Sequence, residues 1–122
     1  MDTSVLPVSE EAVADLVARF YDRVRADARL GPLFEAAIAD WDQHLQIMRD
    51  FWSAVLLRTG RYQGCVMSPH FRMPIEGGDF DLWLALFRPS ARKTLAPEVA
   101  DRAILIAEGV SERLRQAFAR RA

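Results

Sequence analysis

Apolar residues recur at helical spacing along nearly the whole chain, and this periodicity constrains the fold more than any other feature of the sequence. It is clearest near the start, where Ser9 is a good N-cap and Glu10 and Glu11 follow in the first turn. Apolar and polar residues do not alternate over more than a few positions, as they would in a half-buried strand. The pattern therefore predicts an all-α fold. It predicts a first helix from about Ser9 to about Ala28, with the apolar face Val13, Leu16, Val17, Phe20, Tyr21 and Val24.

Turn and cap residues mark where the next two helices begin and end. Gly31 suits a left-handed residue at the end of the first helix, and Pro32 suits the first turn of a new segment. We expect a short helix from Leu33 to Ile38. Asp40 is then a predicted N-cap, with a glutamine three residues later, for a helix from Trp41 to near Gly60.

The second half of the chain is divided by prolines and glycines. Residues 60–69 are predicted to form a loop, and a very short helix that carries His70 follows it. Asp79 is a predicted cap for a further helix, which Pro89 should end or kink because proline has no amide to donate. The last helix is predicted to run from about Pro97 to Arg120.

Length and charge limit the class of protein. A chain of 122 residues predicts a single domain over positions 1–122. The net charge of -1 gives no reason to expect nucleic acid or an acidic membrane surface as a partner. No apolar run is long enough to span a bilayer, and the first residues lack the basic and apolar regions of a signal peptide. With Cys65 as the single cysteine, we expect a soluble, cytoplasmic protein.

Two histidines and many aromatic residues carry the chemical signal. The sequence has 3 Trp, 7 Phe and 2 Tyr, which is more than a helical core of this size needs. His44, Met48 and Trp52 follow at i, i+4 and i+8, so one helix face places an imidazole among large apolar groups. A buried imidazole needs partners or a ligand for its ring nitrogens. Haem fits this combination, because it takes an axial imidazole within an apolar pocket.

The residues by themselves leave alternatives open. A structural zinc site is poorly supported, since two His and one Cys are too few and lack finger spacing. A Cys–His pair that uses Cys65 is conceivable, but no local signature marks this thiol as activated. Either His44 or His70 could hold an iron atom on this evidence.

Several segments of the sequence resemble the third group of truncated haemoglobins, in the order and near the spacing of that family. Glycine doublets that mark the other truncated groups are absent from the loop after the first helix and from the loop before His70. The segments are Phe20-Tyr21, Leu30-Gly31-Pro32-Leu33-Phe34, Asp40-Trp41-x-x-His44-Leu45, Phe51-Trp52, Tyr62-x-Gly64, Met67-x-x-His70 and Phe80-x-x-Trp83-Leu84-x-Leu86-Phe87.

The resemblance implies a globin-like fold, a truncated two-over-two helical sandwich around haem b. It implies that His70 is the proximal ligand of the iron. Tyr21, His44 and Trp83 would form the polar lining of the distal side. The apolar wall of the pocket would be Phe20, Phe34, Met48, Trp52 and Phe87.

The sequence departs from the family pattern at three positions. Val66 stands where the family commonly has proline, shortly before His70. Asp79 replaces a histidine that often precedes the phenylalanine of the later helix. Pro89 falls where that helix usually continues.

Three functions compete at this stage. The resemblance favours a haem protein that binds dioxygen, nitric oxide, carbon monoxide or cyanide. Tyr21, His44 and Trp83 as three potential donors predict slow dioxygen release, which suits ligand scavenging or redox chemistry with a reductase partner. The second is a haem enzyme, peroxidase-like or detoxifying nitric oxide, with His44 as the acid–base group. The third is a cofactor-free all-α interaction domain. Candidates for pairing with haem propionates are Arg58, Arg61 and Arg72.

Overall fold

The computed structural model describes residues 9–60 and 75–121. The described residues form helices and no strand, which confirms the predicted all-α class. The predicted loop and short helix, with Cys65, Val66 and His70, lie outside the described residues. In chain order the described helices are α1 (Glu10–Ala26), α2 (Leu30–Ala37), α3 (Trp41–Leu57), α4 (Gly77–Thr94) and α5 (Pro97–Arg121).

Two predicted N-caps are confirmed. The Ser9 hydroxyl accepts a hydrogen bond from the backbone N–H of Ala12 at 3.1 Å, at the start of α1. The Asp40 carboxylate accepts one from the N–H of Gln43 at 3.1 Å, at the start of α3. The far end of α3 comes earlier than the predicted Gly60, because Arg58 takes a left-handed conformation with φ 60° and the helix stops before it.

The turn between α1 and α2 is shorter than predicted. The Asp27 carboxylate accepts hydrogen bonds from the N–H of Arg29 at 2.9 Å and of Leu30 at 2.8 Å, so α2 starts at Leu30 and not at Leu33. The prediction of a left-handed Gly31 is wrong, since this residue lies within α2 and not in the left-handed region. Glycine is needed at this position for a different reason, because a Cβ there would lie 2.7 Å from the carbonyl oxygen of Arg25.

Helix α4 starts earlier and ends later than predicted. Glu76 is its N-cap, and Asp79 occupies the third helical position, where its carboxylate accepts the N–H of Glu76 at 2.9 Å. The expected end at Pro89 is wrong, because the helix continues to Thr94. Pro89 removes one amide donor, and the next hydroxyl, that of Ser90, donates to the carbonyl of Leu86 at 3.0 Å. Packing on two neighbouring helices keeps the segment helical.

The core lies where α1 and α4 meet the other helices. Helix α1 packs against α2, α3 and α4, and α4 packs also against α5. The core combines short aliphatic side chains with large rings. Within the described part of the chain, no helix is both long enough and apolar enough to cross a membrane. Fully buried members of this core include Val13, Leu16, Val24, Phe87, Ala91 and Ala103.

Candidate functional site

A pocket of about 740 Å³, counting the part that opens to solvent, lies between the helices. All five described helices contribute to its wall, which is mainly apolar and aromatic. The lining residues are Tyr21, Leu30, Leu33, Phe34, His44, Met48, Phe51, Trp52, Ile75, Asp79, Phe80, Trp83, Ala107, Val110, Ser111 and Leu114.

The structure brings most of the predicted site residues to this one pocket. Two predicted wall residues, Phe20 and Phe87, are not among those that line it; they are 2 % and 0 % exposed and lie in the core. His70 and its predicted role as iron ligand lie outside the described residues. The predicted residues that line the pocket are Tyr21, Phe34, His44, Met48, Trp52 and Trp83.

Phe20 and Phe87 contact the aromatic side chains that form the pocket wall. The Phe87 ring stacks on Trp52, with centroids 5.1 Å apart, and on Trp83 at 5.7 Å. Phe20 meets Trp83 edge to face at 5.3 Å. Rings packed in this way restrain one another, because each has few rotamers that avoid a clash. The core residues Phe20 and Phe87 therefore restrain the indoles of Trp52 and Trp83 in the pocket wall.

Three rings form a cluster beside the pocket, which we call the ring cluster: Tyr21, Trp41 and His44. Two of them, Tyr21 and His44, line the pocket. The centroid of Tyr21 lies 5.0 Å from that of His44 with the rings at 90°. Trp41 lies 5.8 Å from His44 at 89° and 6.0 Å from Tyr21 at 66°. All three contacts are edge-to-face, the arrangement that aromatic quadrupoles favour. Tyr21 and His44 therefore present a hydroxyl-bearing ring and an imidazole to the same pocket.

Burial determines the protonation state of Tyr21. Its side chain is 5 % exposed, and desolvation raises the pKa of its phenol above the usual value near 10. The hydroxyl therefore keeps its proton at neutral pH and can donate a hydrogen bond into the pocket.

The pocket wall also contains a buried polar atom that has no partner among the described residues. Ser111, on α5, is 2 % exposed and lines the pocket, and its hydroxyl has no hydrogen-bond partner within the described structure. Leaving such a group unsatisfied is costly, so a polar partner in the pocket would be favourable here. Sequence reasoning missed Ser111, although Ala107, Val110, Ser111 and Leu114 follow the helical spacing that could have indicated a pocket-facing stripe.

An ion pair lies where α4 begins, at the edge of the pocket. Arg29 donates to the Asp79 carboxylate through two nitrogens, at 2.9 and 2.8 Å. This hydrogen-bonded pairing, together with the backbone N–H of Glu76, lowers the pKa of Asp79, although desolvation acts in the opposite direction. Asp79 was predicted as a helix cap and noted as a departure from the family pattern, and its pairing with Arg29 was not predicted.

The residues that line the pocket suit a haem in their chemistry. Its wall is apolar and rich in flat rings, and it has a few polar groups at defined positions, which is how haem sites are built. The unsatisfied hydroxyl of Ser111 is compatible with an occupant that carries polar atoms at its edge. Across the described residues there is no group of three or more His, Cys, Asp or Glu side chains that could hold a metal ion without such a cofactor.

Comparison with known proteins identifies relatives of the same type. The sequence is 35% identical over 88 residues to a group 3 truncated haemoglobin of Campylobacter jejuni, and the match covers 68% of this chain and 69% of that protein. The structure matches the crystal structure of a group III truncated haemoglobin from Campylobacter jejuni with a TM-score of 0.84 and 29% identity. That match covers 90% of this chain and 91% of the other. No protein-family model matches the sequence.

Proposed function

This chain belongs to the group 3 truncated haemoglobins, and we propose from this premise that it binds dioxygen and other diatomic molecules on a haem b in the pocket between its helices. Membership of the family implies haem-based ligand binding, and the structural likeness confirms the predicted truncated-globin fold. The observation that supports the proposal best is the position of Tyr21 and His44, side by side in the wall of an apolar pocket.

The chain's own residues would hold the haem as follows. The rings of Phe34 and Trp52, together with Met48, would contact its apolar faces and edges. His70 would bind the iron through a neutral ring nitrogen, as the family resemblance implies. When bound, haem supplies an iron atom that takes a diatomic molecule at an open coordination position.

Hydrogen-bond donors in the pocket would then select among ligands. Tyr21 and Trp83 have donor groups, and His44 can donate from a ring nitrogen. A ligand that carries partial negative charge is stabilised by about 1–3 kcal/mol for each such bond. Dioxygen is therefore expected to leave slowly. Slow release favours ligand scavenging or redox chemistry over bulk transport, in a cytoplasmic protein with a reductase partner.

Visible spectroscopy tests the proposal. The purified protein, reconstituted with haem, should show a Soret band. His70→Gly should shift this band, and added imidazole should restore it. His44→Leu serves as the matched control, because it should leave the ligand on the proximal side in place. A protein without a Soret band would contradict the proposal and favour a cofactor-free interaction domain. A band that His70→Gly leaves unchanged would contradict the assignment of His70 as the iron ligand.

A peroxidase-like activity is the second candidate, and the position of His44 in the pocket wall favours it. An imidazole there could accept a proton from one oxygen of a peroxide and deliver it to the other. His44→Ala should then lower peroxide turnover by the ferric protein about 100-fold or more, the usual contribution of acid–base catalysis. Turnover equal to that of the parent protein would rule out this role.

A further inference from the structure

Arg25 contacts the ring cluster at Trp41. Its guanidinium carbon is 4.3 Å from the centroid of the Trp41 ring, a close cation–π contact. The same side chain pairs with Glu35 on α2, with 3.3 Å between its Nε and a carboxylate oxygen. Trp41 also makes an edge-to-face contact with the ring of His44, which lines the pocket. Trp41 therefore connects Arg25 to a residue of the pocket wall. Three helices thus meet around one indole.

The spacing along the chain explains this arrangement. Tyr21 and Arg25 are four residues apart on α1, and Trp41 and His44 are three apart on α3, so each pair lies on one face of its helix. Where the two faces meet, the Trp41 ring contacts the guanidinium of Arg25 and also the rings of Tyr21 and His44. Movement of His44 away from the pocket past Trp41 would require the indole to give way.

We propose that Arg25 is a positioning residue for His44, acting through Trp41: the guanidinium holds the indole against the imidazole and so sets how readily His44 leaves the pocket. The inference rests on the proposed function, since it concerns access of a diatomic molecule to the haem. It assigns ligand-entry control to a charged residue that does not line the pocket.

The cation–π contact between Arg25 and Trp41 is strong enough to change the position of the indole and weak enough to break reversibly. Arg25 is half-exposed, with 45% of its side chain accessible, so its attraction to the indole is that of an exposed cation–π pair. An interaction of that size changes the balance between two positions of a side chain about two- to five-fold. The ion pair with Glu35 is equally exposed and is screened by salt, so its contribution is the smaller one.

Carbon monoxide association with the haem-loaded ferrous protein is the first measurement. Arg25→Gln should raise the association rate about two- to five-fold, because His44 is held less firmly. The rate for Arg25→Lys should lie between those of the parent protein and Arg25→Gln. Glu35→Gln should have a smaller effect. The matched control is Arg19→Gln, which removes the same charge from the same helix where the partner is Asp15 at 3.1 Å. It should leave the rate unchanged.

Exchange of the Trp41 indole N–H with solvent is the second measurement. This group is buried and has no hydrogen-bond partner among the described residues, so packing alone protects it. In nuclear magnetic resonance spectra of the carbon monoxide form, Arg25→Gln should speed its exchange, and Arg19→Gln should not. In a Trp41→Leu background, Arg25→Gln should add no further change to the association rate, because the proposed link is already broken.

The results of these experiments distinguish failure of the proposed function from failure of the inference about Arg25. Failure to take up haem would overturn the proposed function and this inference with it. A normal haem spectrum combined with unchanged association rates and unchanged indole exchange in Arg25→Gln would overturn this inference alone. Equal effects of Arg25→Gln and Arg19→Gln would also overturn it, since the cause would then be net charge and not the contact with Trp41. If Trp41→Leu does not fold, the Arg25 series still decides the question.

Discussion

At the scale of single residues, burial makes Tyr21 a source of pH dependence. Its phenol is neutral in the folded protein, and its pKa is raised above the unfolded value of about 10. A group with a raised folded pKa contributes stability that is fully present below its unfolded pKa and is lost as the pH rises through the folded pKa. We therefore expect the urea midpoint to fall above about pH 10 in the parent protein and to fall less in Tyr21→Phe. Parallel curves for the two proteins would contradict this.

At the scale of elements, Gly31 determines how closely α1 and α2 approach. A Cβ there would lie 2.7 Å from the carbonyl oxygen of Arg25, and a backbone atom cannot move away as a side chain can. Gly31→Ala should therefore destabilise the protein by about 1–3 kcal/mol in chemical denaturation. Gly78→Ala, in the first turn of α4, is the matched control. No atom lies within 4 Å of its added Cβ, and we expect a gain of up to about 1 kcal/mol.

The ion pair of Arg29 and Asp79 joins the start of α2 to the start of α4. Asp79 has 9% of its side chain exposed and also accepts the N–H of Glu76, so Asp79→Ala removes a cap and a charge-assisted bond together. We expect a loss of about 1–2 kcal/mol in the free energy of unfolding. The lowered pKa of Asp79 means that this stability is present above about pH 4 and is lost as the pH falls.

Asp81→Ala is the control for that change. Asp81 lies on the same helix and pairs with Arg115 at 2.8 Å, but 74% of its side chain is exposed. A solvent-exposed pair of this kind contributes little, so we expect a loss below about 0.5 kcal/mol. Equal losses for the two variants, measured at neutral pH, would mean that burial of Asp79 has no energetic consequence.

The same elements show what could be predicted from the sequence. Helical periodicity predicted the all-α class, and the caps Ser9 and Asp40 predicted the starts of α1 and α3, because these signals act within a few residues of each other. The sequence left open whether the helix ends or bends at Pro89, and it continues to Thr94, since packing outweighs a local preference. Ser111 was missed because the helical spacing of its stripe shows that this face is buried, but whether the face meets a pocket depends on how α5 packs on α4.

At the scale of the whole molecule, the pocket couples folding to its occupant. Helices from both ends of the chain line it, so a ligand that binds there stabilises the folded state as a whole. Ser111 offers a way to measure this coupling, because its buried hydroxyl has no partner among the described residues. Removing an unsatisfied buried hydroxyl removes a penalty of about 1–3 kcal/mol. Ser111→Ala should therefore stabilise the haem-free protein.

The haem-loaded protein should respond differently to the same change. If the bound haem, or water beside it, gives the Ser111 hydroxyl a partner, the gain from Ser111→Ala becomes smaller or changes sign. Thermal midpoints of both forms, with and without the substitution, measure the difference. Ser90→Ala is the control, since that hydroxyl already donates to the carbonyl of Leu86 at 3.0 Å and its loss should weaken both forms alike. An equal gain in stability from Ser111→Ala in both forms would show that this hydroxyl gains no hydrogen-bond partner when haem binds.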